Sequence, residues 1–591
     1  MSSASDRLQQ ILDEASVDAA WEHMEWMSRE VPERISGWPA AKRQADYLTD
    51  QLASYGFSAR QDEFPGLVSY PVPGALTLIE PESRTIAAMT FAHSTSTPQH
   101  GLEGDLVYVG AGGERDYEGV DARGKIVLAE LSYAPPRPEK TRIATVNGAI
   151  GLILINWGDD DNPSIPMGTV KSVWGNPTVD NLSQMPNLPA IGIARDEGIR
   201  VRELAQQGLV RARIVARAER VWRSLHQPFG ILDTGGRHAI LIGDHMDSWG
   251  GGATDNASGN AVTLEVARVL AQHRDELRRD VWVAFWQAHE NGIMEGSTWF
   301  VDRYWDEITR RLAGYINVDS PGMKYAERYS ATLSPELWTF HQDAMKAALG
   351  YATPPHRLAK TGDQSFFGTG TPAISGRSSF PEELVTRWHG GVLGPWYQSA
   401  DDTMDVADKT VLGQDLRMTL TYVWELATRP ILPFDFRESA RLVNEALRTY
   451  QEEAGESLGL ESVVEMSDTL AALTSRLFDQ ANWFARHIET SSDTADRRAL
   501  ANAYNVQQVR LAAILNPLLT SVVGRYGQDT YGLTALGRWI PALAHVGELK
   551  PLEPGSGEHM LWWGKLARER NRVADSIQSA IDLIEETLDE D

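Results

Sequence analysis

The chain has 591 residues, too many for one hydrophobic core and enough for about three to four domains. Its 81 acidic against 55 basic residues give a formal charge of -26, which argues against nucleic-acid backbones and anionic membranes as partners. The lack of cysteine excludes disulfides and thiolate zinc sites, and no apolar run reaches the ~20 residues that cross a bilayer.

The first residues, MSSASDRLQQILDEASVDAAWEHMEW, have no basic start followed by an apolar core, which predicts a cytoplasmic protein without an export leader. Residues 1 to about 60 read as helix-rich, with a helix ending at Gly56. Between Gly101 and Glu219 come short β-like runs broken by glycine, among them DLVYVG, GKIVLAEL and GAIGLILINW. Gly110, Gly112 and Gly113 precede no helical pattern, so they read as a loop and not as a dinucleotide site. Asp159, Asp160 and Asp161 read as a solvated turn in preference to a calcium site.

Residues 238–243, HAILIG, form a short buried strand by pattern, and Val262, Val266, Val269 and Leu270 lie at helical spacing further on. Between them the glycine-rich loop GDHMDSWGGGATDNASG carries His245 and Asp255. Two more strand-like runs follow: DVWVAFW leads into Gln287-Ala288-His289-Glu290, and GYINVDS carries Asp319. In open α/β sheets ligands collect beyond the carboxyl ends of strands. An imidazole and three carboxylates at one sheet edge can hold one or two divalent cations, zinc first, with iron or manganese as alternatives. After Pro430 and Pro433 the pattern turns helical, with runs through Leu442, Leu447 and Tyr450, through Leu470 to Phe484, from Asp493 to Val523, and from Arg568 to Leu588.

These motifs resemble the co-catalytic zinc metallopeptidases, the family of aminopeptidase Y-like enzymes, glutamate carboxypeptidase II and the non-enzymatic transferrin receptor. The matching pieces are His245-Met246-Asp247 and Asp255-Asn256-Ala257-Ser258-Gly259. The resemblance implies that His245 and Asp319 bind one metal, that Asp255 bridges two, and that Glu290 binds the other. Asp247 would orient the His245 ring. It also implies an α/β fold: a mixed-sheet catalytic domain with an inserted β-rich protease-associated domain and a helical C-terminal domain that forms a homodimer. The expected divisions are 1–100 for the first part of the catalytic domain, 101–225 for the insert, 226–432 for the catalytic domain proper and 433–591 for the helical domain.

Two positions depart from the family pattern. Where the family has two adjacent glutamates, the first a general base, this chain has His289 before Glu290; where the family closes its ligand set with Tyr-His, it has Tyr397-Gln398. Gln398 could offer a carbonyl oxygen to a metal or to substrate, a weaker donor than imidazole. His289 could serve as a ligand or as the catalytic base, because imidazole accepts a proton near neutral pH. The expected function is a metal-dependent hydrolase that attacks a small amide or peptide-like bond through a metal-activated water. A non-hydrolytic metal-dependent lyase and a catalytically inactive scaffold or receptor are the alternatives. The aromatic residues Trp249, Trp286, Trp388, Trp396 and Tyr397 neighbour these motifs and are candidates for an apolar pocket. Arg377, Arg387, His389 and Asp363 are further polar candidates, His389 as a replacement ligand for Gln398.

Overall fold

A computed structural model of the protein describes residues 4–132, 135–489, 495–531 and 537–589. Its centre is an eight-stranded mixed sheet. From edge to edge the strands are Ser58–Pro71, Ala218–Leu232, Asp280–Trp286, Ala239–His245, Leu312–Asn317, Ala373–Ser379, Arg328–Leu333 and His356–Arg357. The run from Asp280–Trp286 to Ala373–Ser379 is parallel, and the strands flanking it on both sides are antiparallel to it.

Parallel strands covered on both faces cannot alternate polar and apolar side chains. Accordingly Ala239–His245, Asp280–Trp286 and Leu312–Asn317 are buried at every position. Ile240, Ile242, Val281 and Val283 face the helices Ser258–Gln272 and Lys409–Thr428, whereas Leu241, Trp282 and Trp286 face Phe300 and Ile308 on the other side. In register, His245 pairs with Trp286 and Gly243 with Asn317. The segments that leave these strands, carrying His289, Glu290 and Asp319, therefore emerge beside His245.

Between Ser58–Pro71 and Ala218–Leu232 the chain builds a closed barrel from Pro73–Glu80, Arg84–Thr90, Leu102–Tyr108, Ile126–Glu130, Gly151–Ile155, Ala190–Ile193 and Arg211–Val215. Two of these strands precede residue 101, where the sequence alone starts the β-rich insert. They pair with Arg211–Val215 and Ala190–Ile193, a non-local closure that local patterning cannot announce. The barrel has its own apolar interior around Leu76, Ile126, Ile153 and Ile214.

The helical remainder comprises Phe436–Ala454, Glu461–Glu489, Ala495–Thr520 and Gly557–Asp589. Leu447, Leu470, Leu515 and Ile577 belong to the same continuous core as Leu264 and Leu420, and so do Leu8, Met24 and Leu48 of the leading helices. The α/β class with a β-rich insert and a helical C-terminal region is thus as expected. Among the described residues no helix is long and apolar enough to cross a membrane.

Candidate metal centre

His245 ends its strand fully buried. Its Nδ1 donates to the main-chain carbonyl of Asp247 at 2.9 Å, which orients the ring and leaves Nε2 to face the carboxylates. That nitrogen lies 3.1 Å from Asp255 Oδ1 and 3.7 Å from Asp319 Oδ1. Burial opposes charge on the ring, but hydrogen bonding to Asp247, Asp255 and Asp319 prevails and raises its pKa well above the usual imidazole range. For Asp319, burial works against the anion, yet His245 beside it holds the carboxyl below its ordinary value.

Asp247 orients the ring through its carbonyl, not mainly through its carboxylate, whose Oδ1 stands 3.7 Å from Nδ1. The carboxylate instead accepts the main-chain N–H groups of His289 (3.3 Å) and Glu290 (3.1 Å) and the Ser36 hydroxyl (2.9 Å). It thereby splices the ends of two neighbouring strands. Asp402 does the same for the Asp255 loop, accepting from the main chain of Thr254 and of Asp255 at 2.9 Å each. The Asn256 amide donates to Val318 O at 3.0 Å and its oxygen accepts from Ser320 N at 3.0 Å, tying this loop to the Asp319 segment. Arg34, completely buried, clamps the intervening turn through Met246 O (3.1 Å) and Gly251 O (2.9 Å).

Glu290 Oε2 accepts from Gln398 Nε2 at 2.7 Å. Burial, and then the charge of Asp255, push the Glu290 carboxyl well above the usual carboxylate range. The oxygen of the Gln398 amide faces Arg137, which donates to it from the barrel insert. A guanidinium has no acceptor, so this contact fixes which end of the amide is which. Gln398 itself adopts the left-handed conformation at φ 50°, as does Ala288 (φ 54°) just before His289. His289 stacks on His245 with ring centroids 3.8 Å apart, and its Nδ1 bonds Asp363 Oδ2 at 2.7 Å. Asp363 is held in turn by the Ser297 hydroxyl at 2.8 Å.

The donors suit a divalent cation. His245, Asp255 and Asp319 form one group, and His245, His289 and Glu290 another, with the donor atoms of each within 4.8 Å of one another. Asp255 Oδ2 and Glu290 Oε1 are buried without a hydrogen-bond partner, an arrangement of neighbouring carboxylates that calls for positive charge between them.

Residues 230–423 match Peptidase family M28, and residues 102–201 match the PA domain. Residues 230–423 are an M28 domain. Among curated proteins, the chain is 22% identical over 487 residues to "Probable glutamate carboxypeptidase VP8" of Zea mays, covering 70% of this chain and 68% of that one. It is 23% identical over 423 residues to "Aminopeptidase YwaD" of Bacillus subtilis (strain 168), covering 70% and 86%. Among solved structures it shares its fold with a peptidase M28 precursor from Shewanella amazonensis (TM-score 0.59, 20% identity, 72% of this chain and 97% of that one). It shares it also with a zinc aminopeptidase from Bacillus subtilis (TM-score 0.53, 22% identity, 70% and 96%). The resemblance to co-catalytic zinc metallopeptidases is borne out.

Beside the M28 donors lie two cavities of about 70 and 320 Å³ that share His289, Met294, Tyr397 and Tyr531. The first also touches Arg137, Trp157, Glu290 and Gln398; the second touches Asp319 and Arg377. Aromatic side chains do line this cleft, but of those singled out by sequence only Tyr397 does so. Trp388 and Trp396 pack in a core with Phe380, Trp286 is buried beneath the sheet, and Trp249 packs on Ile35 and Ala92. Arg387 and His389 lie outside the site, against Asp159 (2.5 Å) and Asp160 (3.2 Å) of the insert. His389 is consequently no substitute for Gln398, and the acidic turn is an ion-paired seam between insert and M28 domain. Sequence reasoning passed over Arg34, Ser36, Arg137 and Tyr531. Each reaches the site from a remote part of the chain, and no spacing in the sequence links them to it.

Proposed function

We propose that the protein is a metal-dependent hydrolase of a peptide-like or small amide bond, with His245, Asp255, Asp319 and Glu290 as the metal-holding residues. The observation that carries this reading is the pair of partnerless buried carboxylate oxygens, Asp255 Oδ2 and Glu290 Oε1, beside an imidazole whose Nε2 faces Asp255 and Asp319. A divalent cation supplies Lewis-acid polarisation of a carbonyl and lowers the pKa of water.

The protein's own groups do the rest. His289 takes the proton: Asp363 occupies its Nδ1, which leaves Nε2 as the accepting atom, and the ring lines both cavities. Asp247 and Asp402 hold the main chain on either side of the donors, so the geometry is set before substrate arrives. Tyr397, Trp157 and Tyr531 give the cleft apolar walls that exclude water from a side chain or acyl group. Hydrolysis is favoured over elimination because similar proteins are named as a probable glutamate carboxypeptidase and an aminopeptidase.

The test is turnover of a panel of aminoacyl anilides and dipeptides in ¹⁸O-labelled water. Activity should vanish with chelator, return with zinc, be absent in Asp255→Ala, and place one solvent oxygen in the product acid. Product without solvent oxygen would identify a lyase, and a folded protein that ignores both zinc and chelator would contradict the reading.

A further inference from the structure

In the half of the centre built by Glu290, Gln398 stands where the resemblance leads one to expect a histidine, and a hydrogen-bonded chain links it to an arginine of the insert. Arg137, in the helix Arg137–Val146 of the insert, donates to Gln398 Oε1 and to the carbonyl of Met167, with its guanidinium over the Phe91 ring at 5.7 Å. Gln398 passes the polarity on, its amide N–H donating to Glu290 Oε2 at 2.7 Å. The only atom of Gln398 that could coordinate a cation, the carbonyl oxygen, points away from Glu290. The atom that points toward it carries positive partial charge.

A second observation agrees. The two donor groups of the centre share His245. Since Nδ1 of that ring is spent on the Asp247 carbonyl, Nε2 has one lone pair and can serve one ion. His245 can therefore complete one of the two groups and not both at once.

We infer that this centre holds a single divalent cation, and that Arg137 of the barrel insert, acting through Gln398, stands in for the second. The inference rests on the metal-dependent reading given above and adds the count and the residue responsible for it. Arg137 is a positioning residue: besides lining the cleft, it fixes the amide that closes the second position. One consequence is that the insert supplies part of the electrostatics of the centre as well as a wall of the cleft.

The experiment is metal stoichiometry on the full chain, equilibrated in zinc-buffered solution and measured by plasma mass spectrometry, with cobalt(II) absorption as a second readout. Wild type should bind one zinc per chain. The double variant Arg137→Ala/Gln398→His should bind two, and the near-isosteric Gln398→Glu, which adds an anionic donor without changing volume, should also take up a second ion. Two zinc ions in wild type, or one in folded variants of both kinds, would overturn the inference while leaving a metallohydrolase in place. No zinc in wild type would remove the metal reading itself, a distinct result. Circular dichroism of each variant separates loss of a site from loss of the fold.

Discussion

The two halves of the centre are built in different ways. His245, Asp255 and Asp319 come from the ends of adjacent parallel strands and the loop beside them, and their partners Asp247, Asn256 and Ser320 are a few residues away in the chain. The half around Glu290 depends on distant groups: Arg137 from the insert, Gln398 from a loop after the sheet, and Tyr531 from the helical region, whose main-chain N–H bonds Ser172 O at 2.8 Å. The lesson is that a sheet edge can preserve a cation site by itself, whereas the neighbouring position is open to revision by whichever domain leans on it.

The largest effect separating the halves is expected at His289. His289→Ala should keep the cation, because the His245 group is intact, but lose roughly 10²–10⁴ in kcat, the usual range for a positioned proton acceptor. Asp319→Ala should instead lose the cation. Measuring zinc content and kcat on both variants checks this, and loss of metal in His289→Ala would make His289 a ligand.

Next comes the anchor beneath the Glu290 loop. Lys171 of the insert is fully buried against Glu295 at 2.9 Å and also donates to Gly292 O at 2.6 Å. Burial raises the Glu295 carboxyl to about 7 despite the lysine. Its folded pKa thus exceeds its ordinary value of 4.5, so the folded state keeps a proton that the unfolded chain releases, and stability falls as pH rises from about 4.5 to about 7. Lys171→Met removes the compensating charge, and should destabilise the protein by about 3–5 kcal/mol near pH 8 and by much less at pH 5, where Glu295 is neutral. Denaturant titrations at the two pH values test this. Equal losses at both would assign Lys171 a packing role only.

A smaller effect is expected at Asp363, which touches His289 but neither cavity. Asp363→Asn should lower kcat roughly 10–100-fold, the range seen when a carboxylate behind an imidazole is removed, with KM and zinc content unchanged. A rise in KM alone would place Asp363 in substrate binding.

Much of this was legible in the sequence, for identifiable reasons. Runs such as DVWVAFW are apolar throughout because both faces are covered, and His245, Asp255, Glu290 and Asp319 could be picked out because short loops tie each to such a strand. His289 and Gln398 stood out only against a family pattern. The start of the barrel was not legible, because the hairpin of Pro73–Glu80 and Arg84–Thr90 joins the barrel only through strands more than a hundred residues later. Nor was Arg137, one arginine among many until the fold brings it to Gln398. The ion-paired fates of Arg387 and His389 illustrate the same limit: proximity in sequence to Gln398 did not bring them into the cleft.

Anomalous diffraction at the zinc absorption edge, on crystals of the full chain equilibrated with zinc, bears most directly on whether these residues form a metal centre. A strong peak within coordinating reach of His245 Nε2, Asp255 and Asp319 is the predicted result. A zinc-replete crystal with no peak there, and with Asp255 and Glu290 still facing each other without an ion, would contradict it.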